Sequence, residues 1–378
     1  MSESYQKVIR GRGRIADTVR MAEKIGIIRP LIVGSVHLTG NLFRKVPSLL
    51  TAPVFSDYHP NPELKDAIPA VEMYHAQECD GIISIGGGSA IDTAKAVKAI
   101  LSAGTPEKAL EGSFCVRSDI PHLAIPGTAG TGAEATQNAV VYCEGKKVSV
   151  SCPGLRPDAV ILDAELLDTL PMYHKKSAAL DALCQGIESY WCKSATDDSR
   201  VHAFLAILGI LDNLKQYLAG DPHAADEMMD ASYQSGKAIQ ITRTTAAHAM
   251  SYQLTKIMGY AHGHACIITL PTLWEMAAEK DEMKGILQDL SVKMRLSDPQ
   301  MVPRLLKGII FDLEMEIPSM PDKEILQRLV VSVDPERLAN HPVPMTAADV
   351  EKAYRKAFTP TCGAEKQACL DIWNYYGA

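Results

Sequence analysis

The sequence predicts an α/β N-terminal domain on a parallel sheet, followed by an all-α C-terminal domain. Three observations carry that reading. Short β-rich runs alternate with helical patterns up to about residue 170, two of those runs break off into glycine-rich turns, and long segments rich in Ala, Leu, Met and Gln follow Leu170-Pro171. Alternation of strand and helix favours βαβ units with parallel strands, and the later residue types are good helix formers. The boundary divides the chain into 1–170 and 171–378. Its 378 residues also exceed the roughly 250–300 at which single cores stop growing. Ligands would then prefer a cleft between the domains.

The elements follow in order. Arg29-Pro30-Leu31-Ile32-Val33-Gly34 reads as a strand entering a turn, preceded by an amphipathic stretch from Ile15 to Ile25. A second strand surrounds Val54-Phe55. Gly81-Ile82-Ile83-Ser84-Ile85 is a third, ending abruptly at Gly86-Gly87-Gly88, and Ala90 to Ala103 then has helical spacing. His122-Leu123-Ala124-Ile125-Pro126 and Ala159-Val160-Ile161-Leu162-Asp163 complete the strands. In the second half, Ser177 to Trp191, Ser199 to Leu218 and Ala224 to Ile241 read as helices.

Composition excludes several classes. Lys+Arg number 38 and Asp+Glu 45, a net charge of −7, which gives no general electrostatic reason to bind nucleic acid. With 47% hydrophobic and 22% charged residues the chain is globular rather than disordered. No run approaches the ~18–20 apolar residues that span a bilayer, and MSESYQKVIRGRGRIADTVR lacks the apolar stretch of a signal peptide. Nine cysteines are scattered without a CxxC pair, so neither a disulfide framework nor a zinc finger is indicated. A cytoplasmic location is the expectation, with small molecules as partners, no nucleic acid and no membrane.

The glycine turns are candidate anion sites. Gly86-Gly87-Gly88-Ser89-Ala90-Ile91-Asp92 lies where a strand ends and a helix begins. Without Cβ atoms, its backbone N–H groups approach an anion closely at the positive end of the helix dipole. Ser89 and Asp92 have capping-pair spacing. The dinucleotide fingerprint GxGxxG is incomplete, since Ile91 takes the third glycine position. The second turn, Pro126 to Thr136, carries three glycines and three threonines, a mixture of amides and hydroxyls suited to phosphate, ribose or an amide-bearing ring. Both turns would lie at the carboxyl edge of one sheet, where open α/β sheets bind nucleotides.

A second constellation lies in the helical half. Asp181 and Gln185 stand at i and i+4, on one face of one helix. His248 and His262 are 14 residues apart, about 21 Å along a straight helix, so the Met258-Gly259-Tyr260 turn must fold the chain back if both hold one ion. One carboxylate and two imidazoles suit Fe²⁺ or Zn²⁺.

Four motifs, GGGSAIDTAKAV, PGTAGTGAEAT, DALCQGIESYW and HAMSYQLTKIMGYAHGHA, together with Pro60-Asn61-Pro62 and Pro157 to Asp163, stand in the order and spacing of the iron-containing (group III) alcohol dehydrogenases. The chain resembles that family over nearly its whole length. The resemblance implies a dehydroquinate synthase-like fold, in which a Rossmann-like domain binds NAD or NADP and a helical domain holds a divalent metal. It also implies a homodimer. Carried over by position, Gly87, Gly88 and Ser89 would face the pyrophosphate and Asp92 the nicotinamide side. Thr128, Thr131 and Thr136 would line the cofactor, with Asn61 near the adenosine half and Lys147 near the ribose. Asp181, His248 and His262 fall on three of four ligand positions.

Three departures carry information. Gln185 replaces the usual fourth ligand, a histidine, and its neutral carboxamide is a weaker donor. Tyr252 replaces a histidine close to substrate. Ser35 replaces the aspartate of NAD-preferring members, which relieves repulsion of a 2′-phosphate and favours NADPH. The DALCQ variant with SGKAIQITRTTAAHAMSY resembles the branch of phosphonoacetaldehyde reductases, which implies reduction to 2-hydroxyethylphosphonate. In that case Lys237 and Arg243 are candidates to hold the phosphonate. The alcohol oxygen would gain its proton from Tyr252, from His264, or from water relayed through a cofactor ribose. Two alternatives stand beside this: a general short-chain alcohol or lactaldehyde-type dehydrogenase, and a non-catalytic nucleotide-binding homologue that has lost its metal.

Overall fold

The computed structural model describes residues 6–60, 62–111, 119–143 and 146–376. Asn61 lies outside the described residues. The chain divides into two compact units, Met1–Leu170 and Pro171–Ala378.

Among the described residues the first unit holds eight strands: β1 Lys7–Arg10, β2 Pro30–Gly34, β3 Val54–Phe55, β4 Gly81–Gly86, β5 His122–Pro126, β6 Asn138–Cys143, β7 Lys146–Ser151 and β8 Ala159–Leu162. Six form a wholly parallel sheet in the order β1-β8-β5-β4-β2-β3. Helices α1 Thr18–Glu23, α2 Val36–Lys45, α3 Ile68–Ala76, α4 Gly88–Ala103 and α5 Pro106–Glu111 accompany it. The inner strands β2, β4 and β5 are buried along their whole length, which is why they read as continuous apolar runs. Their side chains nonetheless alternate between two cores. Leu31, Val33 and Ile82 enter one with Val97 and Ile100 of α4, while Ile32, Ile83 and Ile85 enter the other with Leu42 of α2.

Two elements depart from the sequence reading. β1 is a four-residue strand that is apolar only at its centre, and it forms by pairing with β8 from Lys7↔Ala159 to Arg10↔Leu162. β6 and β7 make a separate antiparallel ribbon, paired from Asn138↔Ser151 to Cys143↔Lys146. The Ser89–Asp92 capping pair does not form. α4 begins at Gly88 with Gly87 as N-cap and no side-chain cap, so Ser89 is already inside the first turn.

The second unit is helical among the described residues, with α6 Met172–Trp191, α7 Asp197–Leu218, α8 Pro222–Thr242, α9 Ala246–Met258, α10 His262–Ala278, α11 Lys284–Lys293, α12 Met301–Asp312, α13 Lys323–Val331, α14 Pro335–Ala339, α15 Ala347–Ala357 and α16 Gly363–Tyr375. α6 is its axis, with residues 179–191 all buried and α7, α8, α9 and α10 packed around it. Polar groups so placed need partners. No described helix is long and apolar enough to cross a membrane.

Candidate active site

The glycine turns meet by register. β4 and β5 pair Gly86 with Pro126 at their carboxyl ends, and the Gly127 N–H donates to Gly86 O at 2.8 Å. The two turns therefore leave the sheet side by side. A Cβ at Gly88 would lie 2.9 Å from Thr131 Cγ2, and one at Gly87 would lie 3.2 Å from Thr128 Cγ2. Backbone and threonine thus pack without room for a side chain, at a helix start that carries no acidic residue in its first turn. That arrangement fits a pyrophosphate.

The other cofactor candidates separate into two groups. Asp92 is held by the Val140 N–H and lies in the field of Lys95 and Lys147; burial outweighs these and raises its pKa to about 6. Thr136 faces inward, accepting from Lys95 Nζ at 3.0 Å and donating to Ala133 O at 3.2 Å. Its hydroxyl braces the turn rather than lining it. Ser35 caps α2, accepting from the Leu38 N–H at 3.4 Å.

In the helical unit the predicted reversal is present. Gly259, at φ 73°, ends α9 in the left-handed conformation that glycine adopts without strain, and α10 starts three residues later. The rings of His248 and His262 come to 5.3 Å between centroids. Gly263 lets α10 sit against α6, since a Cβ there would lie 1.9 Å from Ser177 O and 2.6 Å from Asp181 N. Asp181, His248, His262 and Cys266 each bring a donor atom within 4.8 Å of the others. Oxygen, nitrogen and sulfur donors converging in a buried space fit a divalent transition metal.

The surroundings orient this set. His248 Nε2 lies 3.1 Å from Asp181 Oδ1, while His248 Nδ1 bonds Glu188 Oε2. Glu188 holds a proton on Nδ1, so loss of the Nε2 proton now shared with Asp181 would free that lone pair for a metal. Glu188 is fully buried, and its Oε1 accepts from Thr245 Oγ1 and the Ala247 N–H at 2.7 Å each. Burial raises its pKa, but His248 and these donors hold it below the usual carboxylate value. Burial likewise raises the Cys266 thiol, and the imidazoles of His248 and His262 overturn that, bringing it to about 7.

Gln185 is buried on α6 one turn beyond Asp181, and its Oε1 accepts from Ser235 Oγ on α8 at 2.8 Å. Tyr252 stacks on His262, with centroids 5.9 Å apart and planes at 10°, and burial raises its phenol to about 12. The structure does not bring His264 into this group. Its Nδ1 lies 3.1 Å from Tyr173 Oη and its Nε2 2.8 Å from Glu316 O, so both nitrogens brace the α10 terminus. Lys237 acts electrostatically on His202 of α7. Arg243 is exposed at the end of α8, at φ 61°. The cation that does stand beside the site is Arg337 of α14, its guanidinium 5.1 Å from the Tyr252 ring centroid.

Sequence reasoning missed Cys266, Glu188 and Arg337. Cys266 is four residues after His262 and Glu188 seven after Asp181, spacings that share a helix face. Arg337 carries no such local signal.

Comparison with known proteins places the chain in a family. Residues 6–164 match iron-containing alcohol dehydrogenase, and residues 176–358 match the C-terminal part of the Fe-containing alcohol dehydrogenase family. The chain belongs to the iron-containing alcohol dehydrogenase family. It is therefore an oxidoreductase acting on CH–OH groups, in a family that binds NAD(P) and a divalent metal. Phosphonoacetaldehyde reductase of Streptomyces viridochromogenes is 32% identical over 72% of this chain and 72% of its own. Lactaldehyde reductase of Escherichia coli is 28% identical over 92% and 97%. Among solved structures, sulfoacetaldehyde reductase from Bifidobacterium kashiwanohense in complex with NAD⁺ aligns with a TM-score of 0.87 at 26% identity, covering 94% of this chain and 98% of that one.

Proposed function

We propose that this alcohol dehydrogenase homologue reduces a short aldehyde bearing a tetrahedral anion, of the phosphonoacetaldehyde type, to its 2-hydroxyethyl counterpart. The observation that carries this reading is Arg337, whose guanidinium lies over the Tyr252 ring that in turn stacks on His262, and whose Nε is 3.9 Å from Asp334 Oδ2. A guanidinium matches a tetrahedral oxyanion with parallel donors. Two of the relatives named above act on two-carbon aldehydes carrying phosphonate or sulfonate.

When bound, a divalent metal supplies Lewis acidity to a carbonyl oxygen, and a dihydronicotinamide supplies the hydride. The chain's own residues do the rest. Asp181, His248 and His262 would hold the metal, with Glu188 fixing the His248 tautomer. Gly87, Gly88, Ser89, Thr128 and Thr131 would hold the pyrophosphate, and Asp92 and Lys147 would serve the nicotinamide and ribose. Tyr252 keeps its proton on Oη throughout the neutral range and donates it toward the developing alcohol oxygen. Arg337 holds the anionic end, with Arg243, next in sequence to the Thr244 that Arg337 contacts, at the rim; Lys237, nearer α7, contributes less. Ser35 favours NADPH by leaving out a carboxylate.

The test compares kcat/KM for phosphonoacetaldehyde, lactaldehyde and propionaldehyde, with NADH and NADPH, in the wild type and Arg337→Met. The reading expects the anionic aldehyde to be favoured on the order of 100-fold and the preference to collapse in Arg337→Met, chiefly through KM; losing a charged hydrogen bond costs ~1.5–3 kcal/mol. Equal turnover of all three aldehydes by the wild type contradicts it and favours the lactaldehyde-type alternative.

A further inference from the structure

We propose that Cys266 is a metal ligand in this chain, its thiolate joining Asp181, His248 and His262, while Gln185 stays outside the coordination sphere. The inference rests on the metal-dependent reading above and adds the identity of the fourth donor.

α10 offers two donors on one face. His262 opens the helix and Cys266 follows one turn later, with Sγ 3.9 Å from His262 Nε2. Both lie within 4.8 Å of the Asp181 and His248 donor atoms. Cys266 is fully buried, and its sulfur is within reach of this group. The close approach of α10 to α6 at Gly263 fixes that face against Asp181. α6 offers its own i+4 pair, Asp181 and Gln185, but the Gln185 carboxamide oxygen is directed at the Ser235 hydroxyl on α8. Two helices therefore present the same spacing; both members of the α10 pair reach the cluster, while the Gln185 oxygen already accepts a hydrogen bond from α8.

The chemistry favours the same choice. A carboxamide oxygen is a neutral donor, whereas a thiolate is anionic and polarisable. Binding exchanges the S–H bond for a sulfur–metal bond, with the proton released to water and no change of oxidation state. One sulfur, two nitrogens and one carboxylate form a softer set than one carboxylate with imidazoles alone, and shift preference toward Zn²⁺ or Co²⁺ over Fe²⁺.

The experiment loads full-length apoprotein with Co²⁺ and records bound metal and the near-ultraviolet thiolate-to-Co²⁺ charge-transfer band. It uses the wild type, Cys266→Ser, Cys266→Ala, Gln185→Ala, and Cys184→Ala as a control for the neighbouring buried thiol. X-ray absorption of the Zn²⁺ form counts sulfur scatterers at about 2.3 Å. The expected result is one Co²⁺ per chain with the band in the wild type, Gln185→Ala and Cys184→Ala. Both Cys266 variants lose the band, and their metal affinity falls by more than the roughly 10–100-fold that outer-shell losses cost. One bound Co²⁺ without the band in the wild type, or a band that survives Cys266→Ala, overturns the assignment while leaving the metal reading intact. Absence of any metal binding overturns both. Retention of secondary structure by Cys266→Ser, followed by circular dichroism, separates ligand loss from unfolding.

Discussion

The turn at the end of β4 would meet an anion with backbone; the helical unit would meet a metal with side chains. Gly87 and Gly88 leave no atoms beyond Cα, so the peptide N–H groups and the start of α4 would form the binding surface, with Thr128 and Thr131 packed against them. Around α6 the candidate binding atoms are the tips of Asp181, His248, His262 and Cys266, carried by three helices, with Glu188 bonded to His248. The first site depends on what is left out, the second on what converges. Each is therefore broken by a different kind of change.

The largest effect belongs to the converging side. Asp181→Ala is expected to lower kcat/KM on the order of 10³-fold, since about 4 kcal/mol of Lewis-acid stabilisation leaves with the metal; steady-state kinetics with metal analysis checks it, and chelation of the wild type should reach the same floor and recover on adding metal. Gly263→Ala attacks the convergence without touching a ligand. A Cβ 1.9 Å from Ser177 O must push α10 off α6, a destabilisation of about 3 kcal/mol visible as a lowered denaturant midpoint and reduced metal content. Glu188→Gln preserves shape and removes charge, so metal affinity should fall roughly 10–100-fold in a competitive chelator titration. For the backbone site, Gly88→Ala places a methyl 2.9 Å from Thr131 Cγ2, and cofactor KM should rise roughly tenfold, about 1.4 kcal/mol, with metal content unchanged. A rise in aldehyde KM alone would contradict that division.

The smallest effect concerns pH. Burial lowers the His341 pKa to about 4, and burial also lowers that of His122 in the other unit. A depressed histidine pKa means that the unfolded chain binds the extra proton first, so stability is lost as pH falls below about 6.5 and levels off below the folded value. For His341 alone the loss is about 1 kcal/mol by pH 5.5. His341→Gln should flatten that part of the stability–pH curve, read by urea titration between pH 7 and 5.

The same contrast explains what could be read from residues alone. Glycine turns are local, so Gly86 to Asp92 and Pro126 to Thr136 stand out in one dimension, as do the buried strands, whose apolar runs need no context. The reversal at Gly259 is local too. β1 is not: Lys7 to Arg10 is short and charged at both ends, and it becomes a strand only against β8. The ribbon β6–β7 shows alternation in Lys147-Val148-Ser149-Val150, a signal weaker than the neighbouring apolar strands. Cys266 and Glu188 had helical spacing, but burial and direction decide whether such a residue faces a ligand set. His264 shows the reverse, a residue of the right type beside the site whose nitrogens serve Tyr173 and Glu316. Arg337 reaches Tyr252 across 85 positions, and tertiary structure alone brings it there.

The central claim is that helices α6, α9 and α10 bring their donors to one cation. Anomalous diffraction at the absorption edge of the bound metal, in crystals of the purified holoenzyme, tests it most directly. The account predicts a single strong peak within bonding distance, about 2.0–2.4 Å, of Asp181, His248 and His262. A fully active crystalline enzyme with no such peak, or with the peak elsewhere, contradicts it.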